Sequence, residues 1–108
     1  MTRPPQSSRD VILRTEAYPE ALDFYGKVLG LPMATQSETM VAFETGCFRL
    51  YVEKGRPHPP VFEFLVADVA AEKERLLAAG CVVVAEDPAV PCCYLRDPFG
   101  LVFNLGRG

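Results

Sequence analysis

Gly30 and Gly80 stand fifty residues apart, and each closes a stretch whose apolar residues recur at helical spacing. That repeat constrains the fold more than any other feature of the chain. The first helix signal follows Ala17, with Pro19 in its first turn and Ala21, Leu22, Tyr25, Val28 and Leu29 on one face. The second starts from Asp68, a good N-cap, and runs through Ala79. Ala17 and Asp68, the equivalent starts, are fifty-one residues apart, so a duplicated module is the simplest account of the offset.

Strand signals surround both helices in the same order. Residues 10–15 are β-rich, and candidates at 32–36, 39–44 and 47–53 follow the first helix, parted by the turn pairs Ser37-Glu38 and Thr45-Gly46. Residues 54–60 hold three prolines and read as a stiff linker. A strand at 61–67 then precedes the second helix, and strands at 81–86, 92–96 and 101–105 come after it. The last two are joined by Asp97-Pro98-Phe99-Gly100, which suits a type I turn. The expected architecture is α+β: one domain over 1–108, built of βαβββ modules at about 9–53 and 61–106.

Composition limits what such a domain can do. With 49% apolar and 23% charged residues, the 108-residue chain is neither a disordered tail nor a fibre. Its 11 Lys and Arg are scattered singly and outnumbered by 14 acids, which argues against a nucleic-acid partner. No apolar run approaches the length of a membrane helix, and Met1 to Asp10 has no apolar signal core, so no membrane partner and a cytoplasmic location are expected. Cys47, Cys81, Cys92 and Cys93 are then expected to be reduced. They form no Cys-x-x-Cys, and on a strand Cys92 and Cys93 point to opposite faces, which is poor geometry for zinc.

The run Phe24-Tyr25-Gly26-Lys27-Val28-Leu29-Gly30-Leu31 resembles the FYxxxLG signature of the glyoxalase, bleomycin-resistance and extradiol dioxygenase superfamily, the vicinal oxygen chelate fold. Asp97-Pro98-Phe99-Gly100 resembles its late DPxG turn. The resemblance implies a cup-shaped, partly open mixed β-barrel with the helices outside and ligands on the concave face. Strand alternation then assigns the inward side chains. Val11, Leu13 and Thr15 turn to the helix and leave Asp10, Ile12 and Arg14; Phe48, Leu50 and Val52 leave Arg49, Tyr51 and Glu53. In the second module, Phe62, Phe64 and Val66 leave Val61, Glu63 and Leu65, while Leu101, Phe103 and Leu105 leave Val102 and Asn104. The expected ligand-binding set is Asp10, Ile12, Arg14, Arg49, Tyr51, Glu63, Leu65, Val102 and Asn104.

Metal-dependent members of the superfamily carry ligands at positions that correspond here to Asp10, Val61 and Asn104, with Arg49 or Tyr51 on the fourth strand. Val61 has no donor atom, Arg49 is cationic and Asn104 is a weak neutral ligand. No metal and no cofactor are expected, and no residue is assigned a catalytic role. His58, the one histidine, reads as a solvated linker residue, and no nucleophile elbow or phosphate loop is visible. Asp10, Arg14, Arg49 and Glu63 could form an ion-pair network or a polar ligand site.

Three functions remain open. The preferred one is a metal-independent binding protein of the bleomycin-resistance type, sequestering a drug-like or metabolite ligand. The second is an enzyme, either a divergent lyase or isomerase with Asp10 or Glu63 as base, or a dioxygenase-like metal enzyme that recruits unexpected ligands. The third is a dimeric scaffold with a vestigial cup. A homodimer is expected in each case, because open sheets of this size leave strand edges to cover.

Overall fold

The computed structural model describes residues 4–87 and 92–108. The chain divides into two compact units, Arg9–Pro60 and Val61–Gly108 together with Met1–Ser8. The strands in order are β1 (Gln6–Ser7), β2 (Asp10–Thr15), β3 (Met33–Gln36), β4 (Met40–Glu44), β5 (Arg49–Lys54), β6 (His58–Val66), β7 (Val82–Asp87), β8 (Cys92–Arg96) and β9 (Val102–Arg107). The helices are α1 (Tyr18–Asp23), extended by a π-helical turn at Phe24–Val28, and α2 (Val69–Ala78).

The first unit is a β2-α1-β3-β4-β5 run whose sheet has the order β3-β4-β5-β2. β2 and β5 are parallel, and the other pairs are antiparallel. The second unit repeats this topology with β6, α2, β7, β8 and β9 in the order β7-β8-β9-β6, again with its first and last strands parallel. The equivalent helix N-caps are Ala17 and Asp68, and the Asp68 carboxylate accepts from Ala71 N at 3.1 Å. Gly30 and Gly80 follow the two helices with φ of +82° and +108°, where a side chain would be strained. The glycine after the helix therefore repeats along with the strand order, while a side-chain N-cap is present only on the second helix.

Each unit has its own core between helix and sheet. In the first, Tyr18, Val41, Phe43 and Val52 are buried, with Ala21, Leu22, Tyr25, Leu31 and Leu50 packed on them. In the second, Val66, Cys81, Cys93, Leu95, Phe103 and Leu105 are buried against Phe64, Val69 and Leu76. Phe43 and Leu95 are wholly enclosed, and each such side chain stabilises the fold by about 2 kcal/mol. Cys47 is exposed, while Cys81 and Cys93 are buried. The side chain of Cys92 lies outside the described residues.

Several details depart from the periodicity. Leu29 N donates to Phe24 O, five residues back, at 2.8 Å, and this wider turn breaks the helical register. Val28 and Leu29 thereby leave the apolar face and are 69% and 57% exposed. The turn after β4 is longer than its Thr45-Gly46 signal. Phe48 N donates to Thr45 Oγ1 at 3.2 Å, so β5 begins at Arg49 and Phe48 is 40% exposed instead of lying in the stripe. Asp97 Oδ1 likewise accepts from both Phe99 N and Leu101 N at 2.9 Å, which delays β9 until Val102. His58 belongs to β6, half-buried, rather than to a solvated linker. Residues that precede a proline are driven to extended backbone, and Pro59 and Pro60 make that the local state. β1, too short to show a period, pairs antiparallel with Phe64 and Leu65.

Candidate functional site

In the first unit the face opposite α1 is built of three cross-strand rows over β4, β5 and β2. Glu44, Arg49 and Asp10 form one row, Ala42, Tyr51 and Ile12 the next, and Met40, Glu53 and Arg14 the third. The five expected site residues of this module thus share one face. Charged rows flank an apolar and aromatic centre.

The charges in those rows are largely committed. Arg14 donates from Nε to Glu53 Oε1 at 2.7 Å, and its Nη2 stands 2.5 Å from the same oxygen. Arg49 Nη2 lies 3.5 Å from Glu44 Oε2. Glu44 is shared, since its Oε1 also accepts from Arg9 Nη2 and from Gly46 N, the latter at 3.2 Å. The Gly46 amide, then the two arginines, hold the Glu44 carboxyl below its ordinary pKa despite some desolvation. The Tyr51 oxygen, followed by Glu44, raises the pKa of Arg49. Arg49 Nε is enclosed without a hydrogen-bond partner. Alternation pointed to Glu53 but not to Glu44, which stands on β4, a strand with no predicted site residue.

The second unit presents Glu63 and Leu65 on β6 beside Val102 and Asn104 on β9. Glu63 is opposite Asn104 and Asn104 opposite Tyr94; Leu65 is opposite Gly106. Asn104 is held at both ends: Oδ1 accepts from Cys93 N at 3.0 Å, and Nδ2 donates to Glu63 Oε2 at 2.8 Å. Its orientation therefore follows from the main chain of β8. Gly106 is required for room, because a Cβ there would stand 2.9 Å from Glu63 Oε2 and 3.1 Å from a Leu65 methyl.

These residues do not fit a catalytic divalent ion. Val61 is 2% exposed and has no donor atom, Arg49 brings a positive charge, and both polar atoms of Asn104 are engaged within the unit. Among the described residues no three His, Cys, Asp or Glu side chains gather as a metal-binding group.

Two cavities lie on the helix sides of the units. One, of about 320 Å³, sits beside α2 against Phe64, Leu76, Phe103 and Leu105; the other, of about 440 Å³, lies beside α1 against Leu22, Gly26, Leu31 and Met33. Neither includes a residue predicted for the site.

Repeated βαβββ units, each with its first and last strands parallel and a polar set opposite its helix, define the α+β fold of the glyoxalase, bleomycin-resistance and dioxygenase superfamily. The chain belongs to the glyoxalase-like domain family, whose pattern it matches over residues 10–106. Solved structures with this fold include a hypothetical protein from Bacillus halodurans C-125, with a TM-score of 0.68 and 11% identity, covering 98% of this chain and 96% of that one. A glyoxalase/bleomycin resistance protein/dioxygenase superfamily member from Vibrio splendidus 12B01 aligns with a TM-score of 0.67 and 15% identity, over 95% and 100% of the two chains. A variant of homoprotocatechuate 2,3-dioxygenase from Brevibacterium fuscum gives 0.67 at 18% identity, over 98% of this chain but 33% of the dioxygenase. At these identities the likeness is one of fold. No curated protein matches the sequence.

Proposed function

We propose that this glyoxalase-like protein binds a small molecule without a metal ion, using the sheet faces that carry Asp10, Ile12, Arg14, Arg49 and Tyr51 in one unit and Glu63, Leu65, Val102 and Asn104 in the other. The observation that carries the reading is the commitment of Asn104. Where metal-dependent relatives would have a carboxylate donor, this chain has an amide whose oxygen and nitrogen are both held by neighbours. Tyr51 and Ile12 offer an apolar wall between charged rows, the mixture typical of ligand sites. A homodimer covering free strand edges completes the proposal.

The scaffold reading gains from a different observation. Arg14 and Arg49, two of the four charges expected to meet a ligand, have carboxylate partners in Glu53 and Glu44. A fragment library screened by amide chemical shifts on the full chain separates the two. Saturable shifts confined to β2, β5, β6 and β9 support binding at these faces. Shifts confined to the helix-side cavities, or none at all, would overturn it, and sedimentation equilibrium on the same sample tests the dimer.

A further inference from the structure

We propose that Glu63 receives a positively charged nitrogen, so that the bound small molecule is an organic cation of the primary or secondary ammonium type. The proposal rests on the binding reading above and gives that reading its ligand class.

Charge is the first ground. Arg14 and Arg49 each have a carboxylate within reach, so these two predicted residues offer an anionic ligand no fresh cation, and Arg96, exposed on β8 opposite Val102, makes no ion pair with Glu63. Glu63 is different. It is half-buried, its carboxylate accepts only from Asn104 Nδ2, and among the described residues no Lys or Arg side chain pairs with it. A neutral amide satisfies one oxygen and leaves the charge unbalanced.

Orientation and room are the second and third grounds. Because Cys93 N holds Asn104 Oδ1, the amide group must turn its NH2 towards Glu63, which fixes Oε2 and leaves Oε1 with open acceptor positions. Asn104 is thus a positioning residue. Gly106 keeps the space over the carboxylate clear, and Leu65 borders it with apolar surface. An ammonium placed there makes charge-assisted hydrogen bonds, about twice as strong as neutral ones. A carboxylate ligand would be repelled.

The test titrates the isotope-labelled full chain with 2-phenylethylammonium, with 2-phenylethanol as neutral isostere and with phenylacetate as anion. The ammonium compound is expected to shift the Glu63, Asn104 and Gly106 amides saturably, and to bind about tenfold or more tighter than the alcohol. Glu63→Gln should erase that preference. Gly106→Ala should reduce it with the fold kept, since the carboxylate can swing away from the added methyl. Asn104→Ala should lower the ammonium-to-alcohol ratio, which a general loosening of structure would not single out. If Glu63→Gln does not fold, Gly106→Ala carries the same comparison. Equal binding of all three compounds at these amides, or preference for phenylacetate, overturns the cation proposal while leaving small-molecule binding intact. No shift with any compound overturns both.

Discussion

Arg14 and Glu53 face each other across the parallel β2/β5 ladder, and the guanidinium meets one carboxylate oxygen twice, from Nε at 2.7 Å and Nη2 at 2.5 Å. The side chains keep 34% and 25% of their exposure, so solvent screening limits the pair. Glu53→Gln should cost about 1 kcal/mol in urea unfolding, with little further loss when Arg14→Met is added. Additive losses would mean that the two side chains act independently.

Glu44 makes stability depend on acid. Its carboxyl is held below the ordinary value of 4.5, chiefly by the Gly46 amide. A depressed folded-state pKa contributes stability that is complete above the unfolded value and is lost as pH falls through the folded one. Wild type should therefore exceed Glu44→Gln in unfolding free energy at neutral pH, and the gap should close on acidification below about pH 4.5. A gap that is constant through that range would assign the effect to packing.

The cysteines should separate by reactivity. Cys47 is exposed, and Cys81 and Cys93 are buried. Brief alkylation of native protein followed by peptide mapping should modify Cys47 first and reach Cys81 and Cys93 only on unfolding. Equal labelling of all three would contradict the packing of the second core.

The order of elements was legible because helix caps and strand alternation are local signals. Asp68, Gly30 and Gly80 act in the structure as their residue types suggest. What escaped was set by contacts that periodicity does not encode. The hydroxyl of Thr45 and the carboxylate of Asp97 lengthen two turns and displace Phe48 and Leu101 from their stripes. The π turn ejects Val28 and Leu29 for a backbone reason. Alternation put Asp10, Arg14, Arg49 and Tyr51 on one face but could not supply register. Register is what brings Glu44 beside Arg49 and Asn104 beside Glu63. The position of Glu44 two and four residues after Ala42 and Met40, on the side of β4 opposite Val41 and Phe43, was the available sign that it shares the Arg49 face.

Metal independence is the central claim, and calorimetric titration of the full chain with Mn2+, Fe2+ and Ni2+, beside elemental analysis of protein purified without chelator, tests it most directly. With Val61 lacking a donor, Arg49 cationic and both ends of Asn104 engaged, no ion should bind stoichiometrically at about micromolar concentration. Stoichiometric binding that is lost in Asp10→Ala or Asn104→Ala would contradict the account.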